Sequence, residues 1–196
     1  MTARYLAVAA ALAAAVSFPA AAQDAAKGAA LAEERGCGSC HGARGVSEQV
    51  AIPSLAGQPA EFITLQMILF REGLRDAPPM PDMAQGLDDT QVEDLAAHFA
   101  ALPPGPPPEK GGADAAKARE GEALAARLNC GVCHLPTYAG RAQIPRIAGQ
   151  REDYLVHALT QYRDGTRRGS DTNMNAVMYG VTDAQIAALA HYMAQR

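Results

Sequence analysis

The chain has 196 residues, a formal net charge of −4 and a hydrophobic content of 48%, which is ordinary for a globular protein. This length allows one domain or two small ones. The acidic balance argues against nucleic acid as a partner, because phosphate contacts need a basic surface.

The first 22 residues have the pattern of a signal peptide. Arg4 supplies a positive charge, a short alanine-rich apolar run covers residues 6–18, and three alanines at residues 20–22 form a cleavage site. We expect cleavage after Ala22, a mature chain that begins at Gln23, and export. The alternative is an uncleaved anchor helix, for which the apolar run is short.

Two copies of one pentapeptide contain every cysteine of the chain. They read Cys-Gly-Ser-Cys-His at residues 37–41 and Cys-Gly-Val-Cys-His at residues 130–134. Cys-x-x-Cys-His is the attachment sequence of a c-type haem, in which both thiols add to vinyl groups and the histidine lies under the iron. The predicted attachment residues are Cys37, Cys40, Cys130 and Cys133, and the predicted axial histidines are His41 and His134.

Disulfides and a zinc site are the alternative uses of four cysteines in an exported chain. Cysteines at positions i and i+3, each pair followed by histidine, are poor disulfide partners within one pentapeptide. A zinc site would require neither a histidine after each pair nor a repeated segment around it. The sequence therefore favours two covalently bound haem c groups as cofactors.

The pentapeptides lie in two similar segments. Residues 52–58 (Ile-Pro-Ser-Leu-Ala-Gly-Gln) match residues 144–150 (Ile-Pro-Arg-Ile-Ala-Gly-Gln), and residues 70–75 match residues 162–167 as [Phe/Tyr]-Arg-x-Gly-x-Arg. A period this long indicates a duplicated domain and not a solenoid array. We predict a signal peptide at 1–22, one domain at 23–102, a Pro/Gly-rich linker at 103–113 and a second domain at 114–196.

Each segment is predicted to be mainly helical, because apolar residues recur at helical spacing and no alternating strand pattern is present. Asp88 or Asp89 caps the last helix of the first segment, and Thr182 or Asp183 caps that of the second. About eighty residues form only a marginal core, to which a buried haem adds apolar volume. The predicted helices cover residues 24–35, 60–70 and 88–102, and residues 114–128, 152–162 and 182–196.

An iron held by histidine needs a second axial ligand, or it stays open for a substrate. Aligning the two last helices without a gap pairs Met80 with Met174, both in loops that follow the second helix of their segment. No histidine pair survives this alignment, since His98 matches Tyr192. Met80 and Met174 are therefore the predicted sixth ligands. Packing or surface roles are assigned to His98, His157, His191, Met67, Met83, Met178 and Met193.

Each segment resembles a class I cytochrome c domain, and the doubled arrangement resembles the dihaem cytochrome c4 family. The resemblance rests on the pentapeptides, both matched segments and the two methionines, and it covers nearly all of the mature chain. It implies that the carbonyl groups of Pro53 and Pro145 accept hydrogen bonds from the axial histidines. It also implies that the first and last helices of each segment cross closely at Gly28 and at Gly121.

The resemblance further implies a non-enzymatic periplasmic shuttle for single electrons in a respiratory chain. A quinol-oxidising complex or a dehydrogenase would be the donor and a terminal oxidase the acceptor, with peripheral association with the membrane. The alternatives are a cytochrome subunit of a dehydrogenase complex and a dihaem enzyme with one open iron. Five arginines either pair with propionates or partner carboxylates, or lie at solvated helix ends: Arg71, Arg75, Arg163, Arg167 and Arg168.

Overall fold

The computed structural model describes residues 23–106, 114–169 and 172–196. These residues form helices and contain no strand, only an isolated bridge between Arg141 and Ile144. The expected signal peptide and residues 107–113 of the expected linker lie outside them. The helices are α1 (Ala25–Glu34), α2 (Gly38–His41), α3 (Ala60–Arg71), α4 (Met80–Ala84), α5 (Asp89–Ala101), α6 (Ala115–Arg127), α7 (Cys130–His134), α8 (Glu152–Arg163), α9 (Thr172–Met178) and α10 (Asp183–Ala194).

Capping side chains fix the start of the last helix in each half. The carboxylate of Asp88 accepts the backbone N–H of Gln91, and the hydroxyl of Thr182 accepts that of Gln185. Each glutamine side chain in turn accepts the backbone N–H of its cap, which completes a capping box. The structure thus selects Asp88 over Asp89 and Thr182 over Asp183.

The first helix of each half crosses the last one with almost no space between the backbones. A Cβ atom on Gly28 would lie 1.9 Å from the carbonyl oxygen of Asp94, and one on Gly121 would lie 2.1 Å from that of Ala188. Only glycine fits at either crossing. The crossing expected from the resemblance is therefore present in both halves.

Each half has its own hydrophobic core, and each core contacts one cysteine of the adjoining pentapeptide. The first includes Cys37 at its edge, and the second includes Cys130. The buried residues of the first core are Ala32, Ile63, Leu87, Val92, Leu95, Ala96 and Phe99. Those of the second include Leu124, Leu155, Met178, Val181, Ile186, Leu189 and Met193.

The expectation that Met80 and Met174 lie in loops is wrong. Met80 is the first residue of α4, and Met174 is the third residue of α9. Short helices with few apolar residues give a weak periodic signal, so a spacing argument missed both. No helix in the described part of the chain is long and apolar enough to cross a membrane.

Candidate haem sites

The chain reverses direction just before each pentapeptide through one left-handed residue. Gly36 has a φ of 66° and Asn129 a φ of 55°. The reversal ends the preceding helix and lets α2 and α7 begin at once. In the first half, the N–H of Cys37 also returns to the carbonyl oxygen of Ala32 at 3.0 Å. Each pentapeptide is thereby held against its own core.

The histidine at the end of each pentapeptide is buried and bonded through one ring nitrogen. Nδ1 of His41 lies 2.9 Å from the carbonyl oxygen of Pro53, and Nδ1 of His134 lies 2.8 Å from that of Pro145. Because a carbonyl can only accept, the proton must be on Nδ1. Burial lowers the pKa of both histidines, although the proline carbonyls oppose this effect. The neutral ring keeps the lone pair of Nε2 available for a metal.

The cysteines and methionines take related positions in the two halves. Cys37, Cys40 and Cys130 are half-buried, and Cys133 is exposed. Burial raises the pKa of the Cys37 and Cys130 thiols. Both methionines are half-buried. Met174 packs against the same core as Cys130, which brings two predicted haem-binding residues of the second half to one cluster.

The donor groups present fit a covalently attached haem in each half. Each half offers two free thiols, the buried imidazole of its pentapeptide histidine and the half-buried thioether of Met80 or Met174. The described residues hold no group of three or more His, Cys, Asp or Glu side chains suited to a metal ion. The buried Nε of Arg146 has no hydrogen-bond partner among them, which leaves one buried donor for an anionic group.

Tyr138 is a structural residue to which the sequence assigned no role. Its backbone is left-handed, with a φ of 56°, and its carbonyl oxygen accepts the N–H groups of Ile147 and Ala148. Gly45 accepts the equivalent pair in the first half. Tyr138 is buried, and its ring packs edge-on against Tyr192 at 5.9 Å. Gly45 and Tyr138 each lie four residues after their pentapeptide histidine, but the two residues are unlike, so the sequence offered only this equal spacing as a signal.

Two of the five arginines, one in each half, have the same structural role. Arg71 pairs with Glu72 and Asp89 and donates to the carbonyl oxygen of Leu87. Arg163 repeats this arrangement with Asp164, Asp183 and the carbonyl oxygen of Val181. Each arginine ties the end of one helix to the start of the last helix. These two arginines therefore need no haem or partner to explain their positions, and Arg168 is exposed.

Arg75 and Arg167 instead meet between the halves. Arg75 lies over the ring of Phe70 at 4.5 Å, and Arg167 lies over the ring of Tyr162 at 4.9 Å. Both guanidinium groups contact Tyr154, whose hydroxyl is 3.4 Å from Nη2 of Arg167. Burial raises the pKa of Tyr154, but the two guanidinium groups outweigh burial and lower it. This cluster concentrates positive charge at the boundary between the halves.

Two helical units that each present a Cys-x-x-Cys-His helix, with its histidine bonded to a proline carbonyl, define tandem class I cytochrome c domains. Residues 118–196 match the family described as Cytochrome c. Residues 23–99 match the family described as Cytochrome C oxidase, cbb3-type, subunit III.

Relatives cover both halves together. A cytochrome c4 of Pseudomonas aeruginosa is 34% identical over 88% of this chain and 89% of its own length. A thiosulfate dehydrogenase electron acceptor of Thiomonas intermedia is 35% identical over 85% of this chain and 81% of its own. The crystal structure of reduced cytochrome c4 from Pseudomonas stutzeri superposes with a TM-score of 0.79 at 31% identity, covering 89% of this chain and 99% of that one.

The chain belongs to the dihaem cytochrome c4 family. The predicted fold class, two tandem class I cytochrome c domains, is confirmed. The protein carries covalently bound haem c in each of its two domains and is an electron-transfer cytochrome. A thiosulfate dehydrogenase, TsdBA, from Marichromatium purpuratum also matches, with a TM-score of 0.75 at 29% identity over 88% of this chain and 40% of that one.

Proposed function

We propose that this protein is a periplasmic shuttle that passes single electrons along a respiratory chain towards a terminal oxidase. In this proposal His41 and Met80 ligate the first iron, His134 and Met174 ligate the second, and four cysteines attach the two haems. The buried imidazole of each half, with Nδ1 held on a proline carbonyl, is the observation that carries the assignment. Each haem, when bound, supplies an iron that changes between Fe(III) and Fe(II).

The chain's own residues set how that change proceeds. The methionine thioether is a soft ligand that favours Fe(II), so Met80 and Met174 raise the reduction potential relative to a second histidine. The proline carbonyls fix the ring planes of both histidines. With two ligands on each iron no position is open for substrate, and the protein carries electrons without acting as an enzyme.

The charges of the two halves favour different docking partners. Residues 23–106 contain 12 Asp and Glu against 5 Lys and Arg, whereas residues 114–196 contain 8 against 10. Opposite charges steer transient redox encounters and make them sensitive to salt. The acidic half therefore suits a basic surface, and the other half tolerates an acidic one. A quinol-oxidising complex as donor, an oxidase as acceptor and peripheral attachment to the membrane are compatible with this division.

A second function is favoured by the relatives. The match to a thiosulfate dehydrogenase electron acceptor extends over both halves, at 35% identity. In this alternative the chain receives electrons from a separate dehydrogenase protein that holds the catalytic centre. Co-purification of a dehydrogenase with the native protein would favour this alternative, whereas efficient turnover with an isolated terminal oxidase would favour the shuttle.

Carbon monoxide tests the ligand assignment, because it binds only an open ferrous iron. We expect the reduced wild-type protein to resist carbon monoxide at both haems. Met174→Ala opens the second haem alone, and Met80→Ala opens the first alone. Met83→Leu is the matched control, since Met83 lies on α4 beside Met80 and should change nothing. Equal binding by the wild type and both alanine variants would refute the ligand pairs, and wild-type binding would support an enzyme.

A further inference from the structure

The two halves hold each other through a reciprocal pair of glutamine side chains. The amide of Gln150 accepts the N–H of Ser54 at 2.8 Å and donates to the carbonyl oxygen of the same residue at 2.9 Å. The amide of Gln58 accepts the N–H of Arg146 at 3.0 Å and donates to its carbonyl oxygen at 2.8 Å. Both glutamines are 5% exposed, so these four bonds are shielded from water.

The bonded N–H groups belong to the peptide units that hold the axial histidines. The carbonyl of Pro53 and the N–H of Ser54 form one peptide unit, and that carbonyl lies 2.9 Å from Nδ1 of His41. The carbonyl of Pro145 and the N–H of Arg146 form the other, with Nδ1 of His134 at 2.8 Å. Each histidine is therefore linked, through one peptide unit, to a glutamine of the opposite half.

We infer that each glutamine tunes the haem of the opposite half: Gln150 acts on the first haem and Gln58 on the second. When a peptide N–H donates to an amide oxygen, its carbonyl becomes more negative and a stronger acceptor, since bonds in a chain polarise one another. A stronger acceptor draws the Nδ1 proton and makes the imidazole a better donor to iron. The glutamines thereby favour Fe(III) and lower the potentials. This inference rests on the proposed axial role of His41 and His134.

The crossed direction separates this role from simple attachment of the halves. If a glutamine only held the two halves together, its loss would change the reduction potentials of both haems or of neither. Each glutamine here contacts the proline peptide unit that bonds one histidine. Its loss should therefore change the potential of one haem, the haem in the half that carries no mutation. Both glutamines are positioning residues, because they act through the proline peptide and not on iron.

The test uses the holoprotein with Gln150→Leu, and the potentials of the two haems are resolved by NMR of their methyl signals during a redox titration. We expect the first haem to become easier to reduce and the second to stay unchanged. The equilibrium constant for electron exchange between the two haems should then shift severalfold, up to about tenfold, in favour of an electron on the first haem. A shift of this size corresponds to the energy of one hydrogen bond. The Nδ1–H signal of His41 should move upfield as its bond weakens, and Gln58→Leu should give the mirror-image result.

Two further variants keep the inference falsifiable. Gln150→Glu retains an acceptor for the N–H of Ser54 and should not raise the first potential. Arg151→Lys keeps the charge but removes the contact of Arg151 Nη1 with the carbonyl oxygen of Ser47, another bond between the halves, and should leave both potentials unchanged. Equal shifts at both haems, a shift only at the second haem in Gln150→Leu, or an equal shift in Arg151→Lys would overturn the inference.

The proposed ligation can fail independently of this inference. If His41 did not ligate iron, the wild-type protein itself would lack a low-spin histidine–methionine spectrum at the first haem. If the ligation is correct and the glutamines do not tune it, the wild-type spectrum is intact and the leucine variants leave both potentials and the Nδ1–H signals in place.

Discussion

Gly121 and Ala188 bring two helices into backbone contact, since a Cβ atom on Gly121 would lie 2.1 Å from the carbonyl oxygen of Ala188. The same Cβ would lie 2.6 Å from the Cβ of Tyr192, so neither neighbour can give way. We expect Gly121→Ala to lower the free energy of unfolding of the second half by about 2 kcal/mol or more, because α6 and α10 must separate. Denaturant unfolding of the holoprotein measures this loss.

Gly131→Ala is the control for that prediction. A Cβ on Gly131 would meet its nearest atom, the Cα of Pro136, at 3.6 Å, which is ordinary contact, and Gly131 does not have a positive φ. Its stability should match the wild type. Equal loss in both alanine variants would mean that the crossing of α6 and α10 is not as tight as described.

Tyr138 stabilises the second core through its ring. The ring of Tyr138 packs edge-on against Tyr192. Tyr138→Leu should therefore destabilise the second half by about 1 kcal/mol more than the loss of buried apolar area alone would, whereas Tyr138→Phe should be nearly neutral. Burial and the hydroxyl of Tyr138 raise the pKa of Tyr192 to about 12. Tyr138→Phe should therefore lower the Tyr192 pKa, as followed by NMR. An unchanged pKa would show that the hydroxyl of Tyr138 does not contribute to the shift.

The sequence predicted those parts of the molecule that repeat. The pentapeptides and the six longer helices each follow from a signal present in both halves, whereas the close crossings at Gly28 and Gly121 were implied by the family resemblance. Features built from unlike residues were missed, because the alignment offered no pair to compare. Tyr138, which stands where the first half has Gly45, is one example.

The reciprocal glutamines show a different limit of the sequence. Gln58 and Gln150 were visible as a matched pair in the repeated segments. Their use, however, depends on how the two halves face each other, and no periodicity within one half contains that information. Met80 and Met174 show a third limit, since short helices of five and seven residues carry too few positions for a helical pattern.

Glu152 makes the second half sensitive to acid. Its carboxylate bonds Nζ of Lys117 at 2.8 Å and Nδ1 of the buried His191 at 2.8 Å. Burial raises the pKa of Glu152, but Lys117 and His191 outweigh it and hold the pKa below its ordinary value of 4.5. A lowered pKa in the folded state means that the unfolded state binds more protons. This contribution to stability is complete above pH 4.5 and is lost as the pH falls through the folded pKa.

Glu152→Gln tests this acid sensitivity. Because glutamine does not titrate, the variant should lose less stability than the wild type as the pH falls below 4.5, which denaturant unfolding at each pH measures. Asp164→Asn is a useful comparison, since Asp164 also has a lowered pKa, caused by its bond to Arg163, but is exposed at the surface. Asp164→Asn should change the dependence of stability on pH less than Glu152→Gln does. An equal change would mean that the acid sensitivity comes from the loss of any one carboxylate charge and not from the contact of Glu152 with the buried His191.

The unequal charge of the two halves predicts how small redox reagents approach. Hexaammineruthenium(II), a cationic reductant, should reduce the wild-type protein more slowly as salt rises, because the Debye length shrinks from about 30 Å at 0.01 M to about 8 Å at 0.15 M. Asp82 is exposed on α4, two residues after Met80, and Ala176 is exposed at the matching position of α9. Stopped-flow measurement should show a weaker salt effect for Asp82→Lys than for Ala176→Lys. If the wild-type rate did not depend on salt, charge would not steer access to the first haem, and the division of partners between an acidic and a more basic half would fail.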